Sequence, residues 1–243
     1  MRRVIVGAYV GFLDSDDRWR PDKLAKQLAL LRGDARMGDV YCGLTHVDLA
    51  TGQPVGEEVL GGASGDLLRQ LLIRDVTGPT SCHLLRRAVF DLVGCFDESL
   101  PARQDWDMWI RVASAYRIGC VPGPLVEMGE HTGERVGSKA LNELLGHRRI
   151  FEKYAGLRAT QPVPVRLAAR GAMYRRHGRV YFHRGVSRWR GIGYEVLAIL
   201  TWPLCFDSYA ALAGMLLPKN FRERLHQGWN RVFGRTPFAI RSH

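Results

Sequence analysis

The stretch "GFLDSDDRW", Gly11 to Trp19, places three carboxylates, Asp14, Asp16 and Asp17, at the end of an apolar run in a chain whose formal net charge is +11. Like charges this close repel, and each disfavours ionisation of the next. A cation, a basic neighbour or solvent has to offset that repulsion. Upstream, Val4 to Leu13 is rich in β-branched and aromatic residues (Val4, Ile5, Val6, Tyr9, Val10, Phe12) and reads as a buried strand that delivers the aspartates. On such a strand Asp14 and Asp16 point one way and Ser15 the other, with the two aspartate Cα atoms roughly 6–7 Å apart. That spacing suits two carboxylates sharing a hard divalent cation and its water shell. An EF-hand loop is excluded, because the sixth position from Asp14 is Trp19 rather than Gly and the twelfth is Ala25 rather than Glu. Taken alone, D-x-D is equally the signature of an acidic loop after a strand.

The start "MRRVIVGAYVGFL" is basic then apolar, as in a signal peptide, but the run ends in "DSDD" with no small-residue cleavage site. A chain of 243 residues, 46% hydrophobic and 24% charged, is long enough to bury a full core and is not of disordered composition. Its five cysteines, at 42, 82, 95, 120 and 205, are odd in number and form no C-x-x-C pair, which points to reduced thiols in a reducing compartment and no zinc site. Charge is unevenly placed: residues 1–150 carry a net −1 and residues 151–243 a net +12. The apolar segment "VLAILTWPLCFDSYAALAGMLL", 196–217, is interrupted by Pro203 and Asp207 and reads as a pair of buried helices rather than a membrane span, with contact to a membrane surface left open.

Along the rest of the chain, "RPDKLAKQLALLRG" predicts a helix with Pro21 at its first position, Leu24, Leu28 and Leu31 on one face and Gly33 at its end. "VYCGLTHVDLATGQPVGEEVL" predicts two strands around a Thr51-Gly52 turn, and "GGASG" a loop. "DLLRQLLI" and "RRAVFDLVG" are short helices, the second closed by Gly94, with "PTSCHLL" a strand between them. "QDWDMWIRVASAY" is a helix with Trp106, Trp109, Ile110 and Ala113 as an apolar stripe, and "IGCV" and "PLVEM" are short strands. Beyond about Leu141 the pattern is helical and Arg-rich.

Two segments together resemble the family 2 glycosyltransferases, which have the GT-A fold. The first, "GAYVGFLDSDDRWRPDKLAKQ", matches in the apolar strand, the Asp cluster, Trp19, Pro21, Lys23-Leu24 and Gln27. The second, residues 81–113, carries Gly94-Cys95-Phe96-Asp97-Glu98 followed by Gln104-Asp105-Trp106-Asp107-Met108-Trp109-Ile110-Arg111, similar to the family's G-x-F-D-E and E-D-x-D-L-W-x-R segments. The resemblance covers residues 1–135, about half of the chain. It implies an α/β fold: an incomplete GT-A-like (Rossmann-like) mixed sheet with flanking helices over residues 1–140, followed by a basic α-helical region over 141–243. It also implies an enzyme that moves a sugar from a nucleotide-sugar donor to a glycan or lipid-linked acceptor, by single displacement with inversion and with Mg2+ or Mn2+.

By the same resemblance, Asp14, Asp16 and Asp17 lie at the donor diphosphate, with Asp16 and Asp14 as metal ligands and Asp16 the direct one. Asp105 is the general base, which needs only a carboxylate within hydrogen-bond reach of the acceptor hydroxyl. Spacing alone equally makes Asp105 a helix N-cap. Gln104 stands where the family often has Glu, so a single base at Asp105 is expected rather than a carboxylate pair. Gln104, Trp106 and Asp107 are assigned to the acceptor side, although a Trp106/Trp109 stripe is more often core and Asp107 more often a supporting residue paired with Arg111 one helical turn on. In "PLVEMGEHTGERVGSK", His131 is a candidate third metal ligand and Arg135 a candidate phosphate contact.

The family's first half, with a P-T-Y-N-like strand end and a D-D-x-S-x-D ribose-binding segment, has no counterpart before Asp14. The expectation is therefore a C-terminal part of a glycosyltransferase, weak in donor binding by itself, with the D-x-D strand left at a sheet edge. The rival expectation is a non-catalytic interaction module with a basic tail. The Arg-rich C-terminal third, "VRLAARGAMYRRHGRVYFHRGVSRWRG", suits either solvated helix faces or attraction to an anionic membrane surface. No nucleic-acid-binding module is recognisable. The implied location is cytoplasmic, peripheral at the inner face of the membrane.

Overall fold

A computed structural model describes residues 6–55, 61–130, 138–183 and 185–217. The chain divides into two compact units, residues 1–133 and 134–243.

The first unit is a mixed α/β layer. Its strands are β1 (Tyr9–Gly11), β2 (Asp17–Trp19), β3 (Met37–Asp48), β4 (Leu84–Arg86) and β5 (Arg117–Glu130), in the spatial order β1-β4-β3-β5-β2. Only β3 and β5 are parallel; β1 with β4, β4 with β3, and β2 with β5 run antiparallel. The two long strands make the centre, and β3 is buried from Gly38 through His46, as a strand flanked on both sides must be. The edges are β1 and β2, three residues each, short enough to offer little unpaired backbone. The helices are α1 (Lys23–Gly33), α2 (Leu68–Ile73), α3 (Ala88–Val93) and α4 (Gln104–Ala115). Leu31, Val40, Cys42, Leu44, Cys82, Leu84, Val121, Leu125 and Val126 form a core under α1. This is the curled mixed sheet with flanking helices expected of a GT-A-like domain.

Several local expectations change. The first strand is Tyr9–Gly11 rather than Val4–Leu13, residues 1–5 lying outside the described set. "IGCV" and "PLVEM" are one continuous strand, β5, which bends at Gly123 (φ 108°) and shifts register against β3. "PTSCHLL" opens with a 3-10 turn, Thr80–Cys82, before β4 begins. The turn after β3 is built as expected: Gly52 takes φ 67° and donates to the Asp48 carbonyl, and Val55 returns to His46.

In α1 the leucine stripe is not the buried one. Leu24 is exposed, whereas Lys23, Gln27 and Leu31 are fully buried, a spacing of four that places all three on one face. The Gln27 amide donates to the carbonyls of Val40 and Cys82, 2.7 Å each, tying α1 to β3 and to the 3-10 turn. Lys23 Nζ donates to Gln27 Oε1 at 2.8 Å and sits 4.2 Å from the centre of the Trp19 ring. Each polar group thus meets a partner, which makes its burial tolerable.

The second unit is helical: α5 (Ser138–Lys153), α6 (Ala155–Ala159), α7 (Val163–His183), α8 (Arg188–Thr201) and α9 (Phe206–Leu216). Ser187 caps α8, its hydroxyl accepting from the Arg190 amide. Helices α7 and α8 meet through glycine: a Cβ on Gly191 would stand 2.9 Å from that of Phe182, and one on Gly171 2.8 Å from that of Trp202. The expectation that 196–217 is a buried pair of helices is corrected. Both helices form, but Val196, Leu197, Leu200, Leu204, Phe206, Tyr209 and Leu216 are exposed, because only one face of each packs. No described helix is long and apolar enough to cross a membrane.

Candidate active site

The aspartate cluster is a turn, not a strand continuation. The Asp17 amide donates to the Asp14 carbonyl at 3.1 Å, with Ser15 and Asp16 as the central residues. The alternation argument for Asp14 and Asp16 therefore fails: the chain reverses here, and a tight turn gathers the carboxylates instead. One residue fastens both ends of this turn. The Ser81 hydroxyl accepts from the Asp14 amide at 3.1 Å, and the Ser81 carbonyl accepts from Trp19 Nε1 at 2.8 Å. On the far side, β5 closes in so tightly that a Cβ on Gly129 would overlap the Asp16 carbonyl oxygen.

The three carboxylates are not equivalent. Asp17 is buried, and its Oδ1 accepts from the Gly129 amide at 3.3 Å, so it orients the turn. Asp14 reaches solvent and Asp16 is half-buried. Partial burial raises the Asp14 carboxyl above its ordinary range, and the negative fields of Asp17, Asp16 and then Asp105 raise it further. The D-x-D turn and Asp105, distant in sequence, thus share one electrostatic neighbourhood.

Asp105 lies in the first turn of α4 and is not its N-cap. That position belongs to Arg103, which adopts the left-handed conformation (φ 68°, ψ 27°), unlike any other non-glycine residue described. Such a backbone costs of order 1 kcal/mol or more and persists only where the surroundings enforce it. Asp105 Oδ1 accepts from the Trp106 amide at 2.8 Å, so its carboxylate sits over the open amides of a helix N-terminus.

Of the residues assigned to the acceptor side, two lie in the core instead. Trp106 is buried and donates through Nε1 to the Leu71 carbonyl at 2.8 Å; Asp107 is fully buried and pairs with Arg111 Nε at 3.0 Å, one helical turn on. Both hold α4 in place and present no face to a ligand. Gln104, half-buried, donates to the Leu100 carbonyl at 2.7 Å and stitches down the loop that carries Arg103. His131 and Arg135 lie outside the described residues.

The structure adds residues that the sequence did not single out. Asp75, half-buried after α2, accepts at Oδ1 from the Thr77 and Gly78 amides, 3.0 and 3.3 Å. Burial and the negative field of Asp105 raise its carboxyl, partly offset by these amides and by His83. The D-x-T-G order does announce this turn, but nothing local announces that it closes on Asp105. Beneath lies a buried wall: the His83 ring stacks on Trp109 at 3.6 Å and on Tyr41 at 5.8 Å, and its Nδ1 lies 2.8 Å from Asp39 Oδ2. Trp109 Nε1 in turn donates to the Gly78 carbonyl at 3.2 Å, joining wall and turn.

A divalent cation fits this chemistry. Asp14 and Asp16 are hard oxygen donors on one tight turn, and the repulsion that raises Asp14 is what a bound cation relieves. Among the described residues no three His, Cys, Asp or Glu side chains converge as a complete metal cage. Mg2+ typically takes one or two carboxylates and completes its shell with water and substrate phosphate. Asp17, engaged by the Gly129 amide, supports the turn.

Comparison with known proteins bears on this arrangement. The profile of "glycosyltransferase like family 2" matches residues 4–160, a range that contains the turn, Asp75, Ser81 and Asp105. The chain belongs to that family. An uncharacterized glycosyltransferase of Rickettsia typhi is 31% identical over 161 residues, 61% of this chain and 47% of the relative. Its counterpart in Rickettsia prowazekii is 31% identical over 158 residues, with the same coverages. The chain spans about half the length of the curated relatives it matches.

Proposed function

We propose that this glycosyltransferase domain transfers a sugar from a nucleotide-sugar donor to a glycan or lipid-linked acceptor, with inversion, using Mg2+ or Mn2+. What supports the reading is the family match over residues 4–160, which spans both the D-x-D turn and Asp105, together with the Asp105 field that adds to the rise of the Asp14 carboxyl. Asp14 and Asp16 would hold the cation, with Asp17 and Ser81 fixing the turn that presents them. The cation, when bound, neutralises the diphosphate as it departs. Asp105 accepts the acceptor hydroxyl proton while that oxygen bonds to the anomeric carbon and the bond from that carbon to the diphosphate oxygen breaks. Asp75, whose carboxyl feels the field of Asp105, would hydrogen-bond a sugar hydroxyl.

Two measurements test this. Mn2+ titration followed by electron paramagnetic resonance should show binding to the 243-residue chain, tightened by nucleoside diphosphate. Asp14→Asn with Asp16→Asn should remove it, and Asp105→Asn should leave it in place. Turnover with the cognate nucleotide sugar should fall about 10²–10⁴-fold in Asp105→Asn. Mn2+ affinity indifferent to the turn substitutions, or turnover retained by Asp105→Asn, overturns the respective assignment.

A further inference from the structure

The helical unit is built with its polarity reversed around α8 and α9. Its packed interior holds Glu195 and Ser208, both with no exposed surface, together with Gly191, Ala198 and Met215. Its outer surface carries apolar stripes, with the exposed Arg188, Arg190 and Asp207 beside them. Along α8 the exposed positions Trp189, Gly193, Val196 and Leu200 recur at intervals of four, three and four, with Leu197 beside them, one continuous stripe down the helix. Along α9, Phe206, Tyr209, Ala213 and Leu216 form a second. The connection between the helices is apolar as well: Leu200 is 73% exposed, Leu204 63% and Phe206 76%, with Pro203 between them. A turn facing water is ordinarily polar.

The two helices form an antiparallel hairpin, since Arg188 at the start of α8 donates to the Met215 carbonyl near the end of α9, 3.0 Å away. From Gly191 to Leu217 the sequence has no Lys or Arg and two acids, Glu195 and Asp207. The first is buried, and the second is paired with Arg175 of α7 at 2.5 Å. The one exposed acid beside the stripes, Asp207, is thus neutralised by its ion pair with Arg175.

We propose that the α8–α9 hairpin lies in the surface of an anionic lipid bilayer, its apolar stripes and turn set among the acyl chains just below the headgroups. Length excludes a crossing. Helices of 14 and 11 residues extend about 21 and 16 Å, short of the roughly 30 Å hydrocarbon core. Exposed apolar faces on short helices flanked by cations are instead the mark of an in-plane element, which sinks about 5–10 Å. Arg188 and Arg190 bracket the exposed Trp189 at the start of α8, a grouping that anchors at the boundary between headgroup and acyl chain. The net +12 of residues 151–243 complements anionic headgroups. This goes beyond attraction of a basic tail to charge: the main contact is apolar and resists salt. It does not depend on the sugar-transfer reading.

Flotation with vesicles of 30% phosphatidylglycerol in phosphatidylcholine, at 0.1 M and 1 M NaCl, tests the proposal. At 1 M salt the screening length shrinks to about 3 Å, and contacts made by charge alone release. The intact chain is expected to stay on the vesicles at 1 M NaCl. Leu200→Glu with Leu204→Glu and Phe206→Glu, all at exposed positions, should lower the bound fraction at least tenfold there. The milder Leu204→Ser with Phe206→Ser should lose part of it, with helical circular dichroism unchanged. Release of the intact chain by 1 M NaCl overturns the proposal. So does undiminished flotation of either variant, or a lipid-free dimer that the substitutions dissolve while vesicles capture nothing.

Discussion

The two units handle polarity in opposite ways. In the α/β unit apolar side chains fill the inside, and each buried polar group described above there is tied to a partner: Gln27 to two carbonyls, Lys23 to Gln27 and the Trp19 ring, Asp107 to Arg111. Around α8 and α9 a carboxyl is inside and the leucines are outside. The same physical rule gives both results. Burial of polar groups is tolerated where partners exist, and apolar surface turns toward whatever medium is least like water.

The comparison breaks hardest at Gln27. In Gln27→Leu the carbonyls of Val40 and Cys82 and the ammonium of Lys23 lose their partner inside a packed core. At 1–3 kcal/mol for each orphaned group, a loss of about 4 kcal/mol is expected, read as a lower urea midpoint for the α/β unit. The D-x-D turn should loosen with it, because the Cys82 carbonyl adjoins Ser81. Mn2+ affinity should therefore fall although no donor atom has changed. A Leu variant as stable as the parent would mean that this polar stripe is incidental.

Glu195 is the counterpart in the helical unit. Burial pushes its carboxyl from the ordinary 4.5 up to about 7, while the Ser208 hydroxyl, Arg179 and Arg175 pull it part of the way back. Below pH 4.5 both the folded and unfolded forms hold the proton. Between 4.5 and about 7 only the folded form does, so stability falls as pH rises through this window and levels off above it. The span corresponds to about 3 kcal/mol at most. Amide hydrogen exchange in α7 and α8, corrected for its intrinsic pH dependence, should show faster opening at pH 8 than at pH 5. Glu195→Gln should flatten that dependence. A pH-independent opening free energy in the parent would place this carboxyl in water rather than between helices.

The sequence made legible what depends on local order or on motif. The strand before the aspartates, the helix closed by Gly94, the turn at Gly52 and the pairing of Asp107 with Arg111 were all readable from nearest neighbours. The family segments located Asp105 and the D-x-D turn. Tertiary choices stayed hidden. Periodicity marks Leu24, Leu28 and Leu31 as a stripe, yet the stripe beside it is buried, because Gln27 finds two carbonyls that only the folded sheet supplies. Asp75 comes under the field of Asp105 only in the folded chain, and the apolar stripe that contains Trp106 does not announce the α2 carbonyl that its indole meets. The apolar segment 196–217 is readable as two helices with either burial or membrane-surface contact open, since hydrophobicity alone does not say which residues of a helix pack against protein.

The smallest effect sharpens the inside–outside distinction within one helix. Gly191 and Gly193 lie two residues apart in α8, on opposite sides. At either, Ala favours the helix by up to about 1 kcal/mol through reduced backbone freedom. At Gly193 nothing lies within 4 Å of the added methyl, so the whole gain should be kept and Gly193→Ala should stabilise the helical unit. At Gly191 the methyl would stand 2.9 Å from Phe182 Cβ and 3.1 Å from the Gly178 carbonyl, both fixed parts of α7. The helices must then separate, at a cost of roughly 1–3 kcal/mol for overpacking, which exceeds the gain. Gly191→Ala should therefore destabilise by about 1 kcal/mol. Opposite signs in thermal unfolding of the two variants would fix which side of α8 meets protein. Equal signs would mean that α7 does not pack on Gly191, and the assignment of inside and outside would reverse with it.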